Sequence, residues 1–196
     1  MLKRVCVFCS SSDLSDQVYL DAAYKLGEML AENSIEIVYG GGLAGCMGKL
    51  ADGALAKGGK VFGIIPKFMF DLEWGHDKIT ELKIVESLNE RKEMMIMETD
   101  AAIALPGGSG TLEELFETIT LKRLGVYLSP IILVNTKHFF DPCIQILEDA
   151  IAEKFMDERN LLMWKVVDEA TEVLKAIENS SSWSADSKNF ATLRKK

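Results

Sequence analysis

Apolar residues along this chain follow two alternating patterns. Short runs rich in Val and Ile have the look of buried strands. The stretches between them repeat apolar residues every three or four positions, as amphipathic helices do. Strands are predicted at Lys3 to Phe8, Ile35 to Tyr39, Lys60 to Ile65, Glu81 to Val85, Ala101 to Leu105, Pro130 to Val134 and Trp164 to Val167. Helices are predicted from Asp16 to Asn33, from about Gly45 to Lys57, from Leu88 to Thr99, from the loop at Pro106 to about Leu124, from Pro142 to Lys154 and from Glu169 to Ile177. In the first of these, Tyr19, Ala22, Ala23, Leu26, Met29 and Leu30 share one face. Lys67 to Thr80 carries neither period, yet holds Phe68, Met69, Phe70 and Trp74. A long apolar segment without regular structure usually serves function.

Strands alternating with helices at this spacing predict an α/β protein with three layers. The expected fold is a mostly parallel sheet with helices on both faces. No repeat or linker divides residues 1–178, which are expected to form one domain. The Ser-rich tail over 179–196 is expected to be disordered. Ligands of such sheets sit beyond the carboxyl ends of the strands. Two glycine loops, Gly40 to Gly42 and Gly107 to Gly110, fall at such ends and should face one crevice.

Composition narrows the partners. With 196 residues and 48% hydrophobic content, the chain can bury a full core. A net charge of −8 argues against nucleic acid, whose binding face needs a basic stripe. A small phosphate is still compatible, because backbone N–H groups and a few local cations suffice for it. No apolar run approaches the ~20 residues of a membrane span, so no membrane partner is expected. The apolar run before Cys9 is too short for a signal peptide. Four cysteines are too few for a secreted framework, and a cytoplasmic location is expected. Cys6 and Cys9 form a CxxC, but residues three apart in a strand point to opposite faces. His76 and His138 are isolated and suggest neither a metal site nor a Ser/His/Asp set.

The loop Gly40-Gly41-Gly42-Leu43-Ala44-Gly45 satisfies GxGxxG, but it follows the second strand. The acidic residue expected at the end of the next strand is missing, since that strand ends Ile64-Ile65-Pro66-Lys67. A dinucleotide is therefore disfavoured. Two readings stay open: tight backbone packing, or a ligand approaching Gly41 and Gly42. Pro106-Gly107-Gly108-Ser109-Gly110-Thr111 lacks the Lys-Ser/Thr pair of a triphosphate loop. A strand, a proline stop, small residues and a helix start instead make a seat for a monophosphate. The competing reading is a turn with Thr111 as N-cap and Glu114 completing a capping box. Glu113, Glu114 and Glu117 crowd the start of that helix, where its dipole favours carboxylates. Asn89-Glu90-Arg91-Lys92-Glu93 reads by itself as a charged surface turn.

Taken together, Glu90-Arg91-Lys92 and Pro106 through Glu114 resemble the paired RK and PGGxGTxxE motifs of the LOG ("lonely guy") family. Cys6 to Ser12, Val38 to Gly42 and Gly63 to Pro66 resemble that family too, so the likeness spans about residues 3–177. The resemblance implies a Rossmann-like homodimer without metal or redox cofactor. It implies hydrolysis of cytokinin riboside 5′-monophosphates to a free adenine-type base and ribose 5-phosphate. Arg91 and Glu114 match the catalytic pair. Lys92, Gly107, Gly108, Ser109, Gly110, Thr111, Leu112, Glu113, Thr120 and Glu73 match positions that hold the nucleotide, although the segment around Glu73 departs from the family pattern. Such proteins are often labelled lysine decarboxylases, yet no lysine here stands in a recognisable pyridoxal-phosphate context. The expected chemistry puts a carboxylate, Glu114, beside a ribose that gains positive charge. Arg91 would orient Glu114 or bind ribose and phosphate oxygens. Glu117 is expected to matter less. An AMP nucleosidase without a cytokinin role, or a nucleotide-binding module without turnover, would keep the same loop. The latter would need neither Arg91 nor Glu114.

Overall fold

The computed structural model describes residues 2–72 and 74–193. Seven strands form one sheet: β1 (Arg4–Phe8), β2 (Glu36–Tyr39), β3 (Val61–Pro66), β4 (Glu81–Val85), β5 (Ala101–Ala104), β6 (Ile131–Val134) and β7 (Trp164–Val167). Their order is β4-β3-β2-β1-β5-β6-β7, and every neighbouring pair is parallel. The chain runs outward from β1 through β4, then returns to β1's other side with β5. That reversal opens a crevice at the carboxyl ends of β1 and β5.

Alternation along the strands feeds two cores. Val5 and Val7 of β1 pack with α1 (Gln17–Glu32), α2 (Gly45–Ala56) and α7 (Val173–Glu178). Cys6 and Phe8 pack on the other face with α4 (Leu88–Ile96), α5 (Ser109–Arg123) and α6 (Asp141–Ala152). Cys9 belongs to the first core and Cys6 to the second, so the CxxC points both ways. The central strands are buried along their length, as expected of strands covered on both faces.

The structure corrects three expectations. First, the segment after β3 is not wholly irregular. Lys67–Phe70 forms a short helix, α3. Beyond it the chain pairs with the glycine loop: Gly42 and Gly75 form an antiparallel bridge, Leu43 N–H donates to the Trp74 carbonyl at 3.1 Å, and His76 N–H donates to the Gly41 carbonyl at 2.9 Å. Second, α5 has no capping box. Its N-cap is Gly108, without a side-chain cap, and Thr111 lies inside the helix.

Third, the tail is packed as far as Ala191, whose carbonyl accepts from Arg123. Trp183 Nε1–H donates to the Lys122 carbonyl at 2.7 Å, and Ser187 Oγ–H donates to the same oxygen at 3.3 Å. Phe190 stacks edge-on against Trp183 and lies under Arg159. These aromatic contacts order a Ser-rich segment that has no helical period of its own. Beneath it, the buried Lys122 ammonium donates to the carbonyls of Leu128 and Ser129 at 3.2 and 2.6 Å. Burial lowers its pKa to about 8.

Candidate active site

Arg91 and Glu114 meet at the carboxyl end of the sheet. Ser87 caps α4 by accepting from Glu90 N–H at 3.1 Å, and the Glu90 carboxylate accepts from Glu86 N–H at 3.0 Å. This fixes the entry of α4, so that Arg91 and Met95, one turn apart, face inward. Arg91 is thus buried and does not belong to a charged surface turn. Its Nε–H donates to the Ile64 carbonyl at 3.0 Å. One terminal N–H donates to the Gly40 carbonyl at 3.2 Å, and the other terminal nitrogen stands 3.2 Å from Glu114 Oε1. A planar fork is needed to reach three acceptors on three elements.

Glu114 projects inward from α5 and is only 4% exposed. Burial raises its pKa to about 7. Arg91 and Lys92 pull it down, and Glu113 and Glu117 push it up. The carboxyl therefore exchanges protons near neutral pH, as suits acid–base chemistry. Cys6 and Cys9 lie close to this pair, but burial raises both thiols well above their ordinary range. They are inert neighbours rather than nucleophiles.

One helix turn away is the start of α5. Gly108, Ser109 and Gly110 are exposed, and a Cβ on Gly108 or Gly110 would meet nothing within 4 Å. The first N–H groups of any helix lack partners inside it. Here no side chain covers them, so an anion can approach. Gly107 is required for packing, because a Cβ there would come within 2.2 Å of Thr111 Oγ1. The start of α2, which follows the GxGxxG loop, is different. Gly45 N–H donates to Asp13 Oδ1 at 2.7 Å and Met47 N–H to the Ser10 carbonyl at 3.0 Å. The chain after β1 fills that helix end itself, whereas no side chain caps the start of α5.

On the outer side of the Arg91–Glu114 pair, Lys92 bridges to α5. Its ammonium pairs with Glu113, and lies 2.9 Å from Glu117. Hydrogen bonding to Glu113 is the largest influence raising the Lys92 pKa.

This geometry can be set beside known proteins. A family described as "Possible lysine decarboxylase" matches residues 47–177. A probable cytokinin riboside 5′-monophosphate phosphoribohydrolase of Oryza sativa subsp. japonica is 43% identical, over 78% of this chain and 69% of its own length. The chain belongs to the LOG family. A further LOG relative, a cytokinin riboside 5′-monophosphate phosphoribohydrolase of Arabidopsis thaliana, is 37% identical over 90% of this chain and 83% of its own. The fold reaches further than the family does. A molybdenum cofactor carrier protein of Chlamydomonas reinhardtii superposes with a TM-score of 0.70 over 91% of this chain and 97% of its own, at 17% identity. At that identity the likeness is one of fold.

The other residues picked out by the LOG-like motifs are spread more widely. Leu112 packs against the second core. Thr120 is exposed further along α5, on the stripe of Glu113 and Glu117, and its hydroxyl donates to the Phe116 carbonyl. Gly41 and Gly42 pair with the segment around Trp74, so the packing reading of their loop accounts for them. Glu73 lies outside the described residues. Sequence reasoning missed Gly40. A Cβ on Gly40 would stand 2.0 Å from the Arg91 guanidinium. The glycine run was visible, but its tenant comes from 51 residues further along the chain.

Two clefts lie elsewhere. One, of about 540 Å³, is bounded by α1, Asn135 to His138 and Asp168 to Thr171. The other, of about 620 Å³, runs between α4 and α5 and includes Lys92 and Glu117. Neither is lined by Arg91 or Glu114. The site is therefore located by its chemistry, a buried ion pair beside an open helix start, rather than by cavity size.

Proposed function

We propose that this protein hydrolyses the N-glycosidic bond of cytokinin-type nucleoside 5′-monophosphates, releasing the adenine-type base and ribose 5-phosphate. The observation that carries this reading is the buried Arg91–Glu114 pair directly behind the exposed start of α5. The phosphate sits on the N–H groups of Gly108 to Thr111 and at the positive end of the helix dipole. As the bond between the anomeric carbon and the base nitrogen breaks, its electron pair leaves with the base. Positive charge grows on the ribose. Ionised Glu114 stabilises that charge and takes a proton from the attacking water, whose hydroxyl bonds the anomeric carbon, while the departing base takes up one proton from solvent, so that one water is consumed in all. Arg91 keeps the carboxylate oriented, and its remaining N–H groups are available to ribose or phosphate oxygens.

The match to a family described as possible lysine decarboxylase raises pyridoxal-phosphate chemistry, which the residues do not fit. A Schiff-base lysine must lose its proton. Lys92 is held protonated between two carboxylates. Lys122, the lysine with a lowered pKa, is sealed beneath Trp183 at the far end of α5.

A prenylated base is preferred over AMP in this reading. Phe68, Phe70, Leu72 and Trp74 expose apolar surface on the segment bridged to Gly42, which supports an apolar wall near the base. Incubation with AMP and, separately, with isopentenyladenosine 5′-monophosphate, followed by chromatography of free base, tests both points. Faster release from the prenylated nucleotide is expected. Release from AMP alone would make the protein an AMP nucleosidase, and release from neither would leave a binding module.

The protein acts as a cytoplasmic homodimer in this reading. Supporting the location are its free cysteines. Supporting the dimer is the α4–α5 groove, lined in part by exposed Met97, Val126 and Leu128. A monomer mass by light scattering would reject the dimer.

A further inference from the structure

The three carboxylates at the start of α5 do not play one part. Glu114 turns inward to Arg91, whereas Glu113 and Glu117, four residues apart, both turn to Lys92. Lys92 reaches the early turns of α5 on that side, and two carboxylates already claim it. Counting Arg91 and Lys92 against Glu113, Glu114 and Glu117, the charged groups around the seat sum to −1 when all are ionised. An incoming phosphate therefore meets no surplus of positive side-chain charge. It has to compete for Lys92.

We infer that Glu117, together with Glu113, is a positioning residue that holds Lys92 in competition with the nucleotide's 5′-phosphate and so limits the affinity for phosphate-bearing substrate and product. This rests on the proposed phosphate seat at α5. A carboxylate on a lysine resembles a phosphate on a lysine, so exchange is close to balanced. Weak retention of ribose 5-phosphate follows, and with it release of a product that keeps the substrate's phosphate. The two partners differ in exposure and position. Glu113, just past the first turn, is more exposed, and Glu117 lies one turn further from the amides. Glu117 can thus draw Lys92 further from the phosphate than Glu113 does.

The same carboxylates act on Glu114. The groups facing it are Arg91 and Lys92 from α4, Glu113 and Glu117 from its own helix, and the thiols of Cys6 and Cys9 on and just beyond β1. Glu113 and Glu117 push the Glu114 pKa up. Removing the charge of Glu117 lets Glu114 ionise at lower pH.

The experiment is a pair of calorimetric titrations, ribose 5-phosphate and inorganic phosphate, into the parent and into Glu117→Gln. Tighter binding by the variant is expected, by about threefold to tenfold for one freed charge contact. With nucleotide substrate, KM falls by more than any change in kcat, and the rising limb of kcat/KM moves to lower pH. Glu113→Gln gives a smaller gain. Equal or weaker binding by Glu117→Gln, or no binding of either ligand by both proteins, overturns the inference. Failure of the hydrolase reading is separate, because it shows as absent base release while the difference in phosphate affinity persists.

Discussion

Glu114→Gln will abolish most base release and at the same time make the protein more resistant to heat above neutral pH. The loss is on the order of 10²–10⁴-fold, the usual contribution of a positioned acid–base group. The gain comes from linkage. Burial raises this carboxyl from its ordinary 4.5 to about 7 in the fold. An acid whose folded pKa is raised binds more protons folded than unfolded between those two values. Stability is therefore greatest below 4.5, falls as pH rises toward 7, and stays reduced above it. The full cost of that ionisation is on the order of 3 kcal/mol. Glutamine carries no such cost and keeps the shape. Thermal unfolding at pH 8 should show a higher midpoint for the variant, with the difference vanishing near pH 4. In the parent, kcat/KM should rise through about pH 7 as Glu114 ionises. A variant with undiminished base release, or one less stable at pH 8, would remove Glu114 from its assigned place.

Arg91→Lys will be nearly as damaging as loss of Glu114, although it keeps the charge. One ammonium cannot reach the Ile64 carbonyl, the Gly40 carbonyl and Glu114 together in the fork's geometry. At least one of those buried acceptors is left unpaired, at about 1–3 kcal/mol. Base release should fall about 100-fold or more, since orientation of the carboxylate is lost with the fork. Arg91→Ala is a poorer test, because stranding a buried carboxylate costs about 3–5 kcal/mol of stability. Gly40→Ala reaches the same arginine without altering any charged group. Its methyl would occupy the space of the guanidinium. Activity should drop by a similar factor while circular dichroism stays that of the parent. If Gly40→Ala is fully active, the Arg91 position described here is not the working one.

Much of this was legible from periodicity. Each of the seven strands appears within a residue or two of its predicted place; the five inner ones are short, largely buried apolar runs, while the edge strands β4 and β7 are partly exposed. Element ends were less legible. The fourth helix stops at Ile96, and the last begins as a 3-10 turn at Ala170–Glu172. The tail from Asn179 gave no period, and its order comes from Trp183 and Phe190 finding Lys122 and Arg159 far away in sequence. The run Asn89 to Glu93 reads as solvated because charge is its only local signal. Burial of Arg91 depends on carbonyls supplied by β2's end and β3.

For the PGGSGT loop, sequence alone established a turn of small residues entering a helix behind a buried strand. Those are local preferences, and they carry through to the fold unchanged. It could not choose between a cap and an anion seat, since both want the same residues at the same spacing. Tertiary structure decided against the cap, since no side chain bonds the start of α5. It left the start of α5 exposed and filled the start of α2 with Asp13 and Ser10. It also divided three adjacent-looking carboxylates between two cations, one buried and one at the rim. The reason is physical: the pKa of a carboxyl and the freedom of a helix end depend on what other elements bring to them, and chain order does not record it.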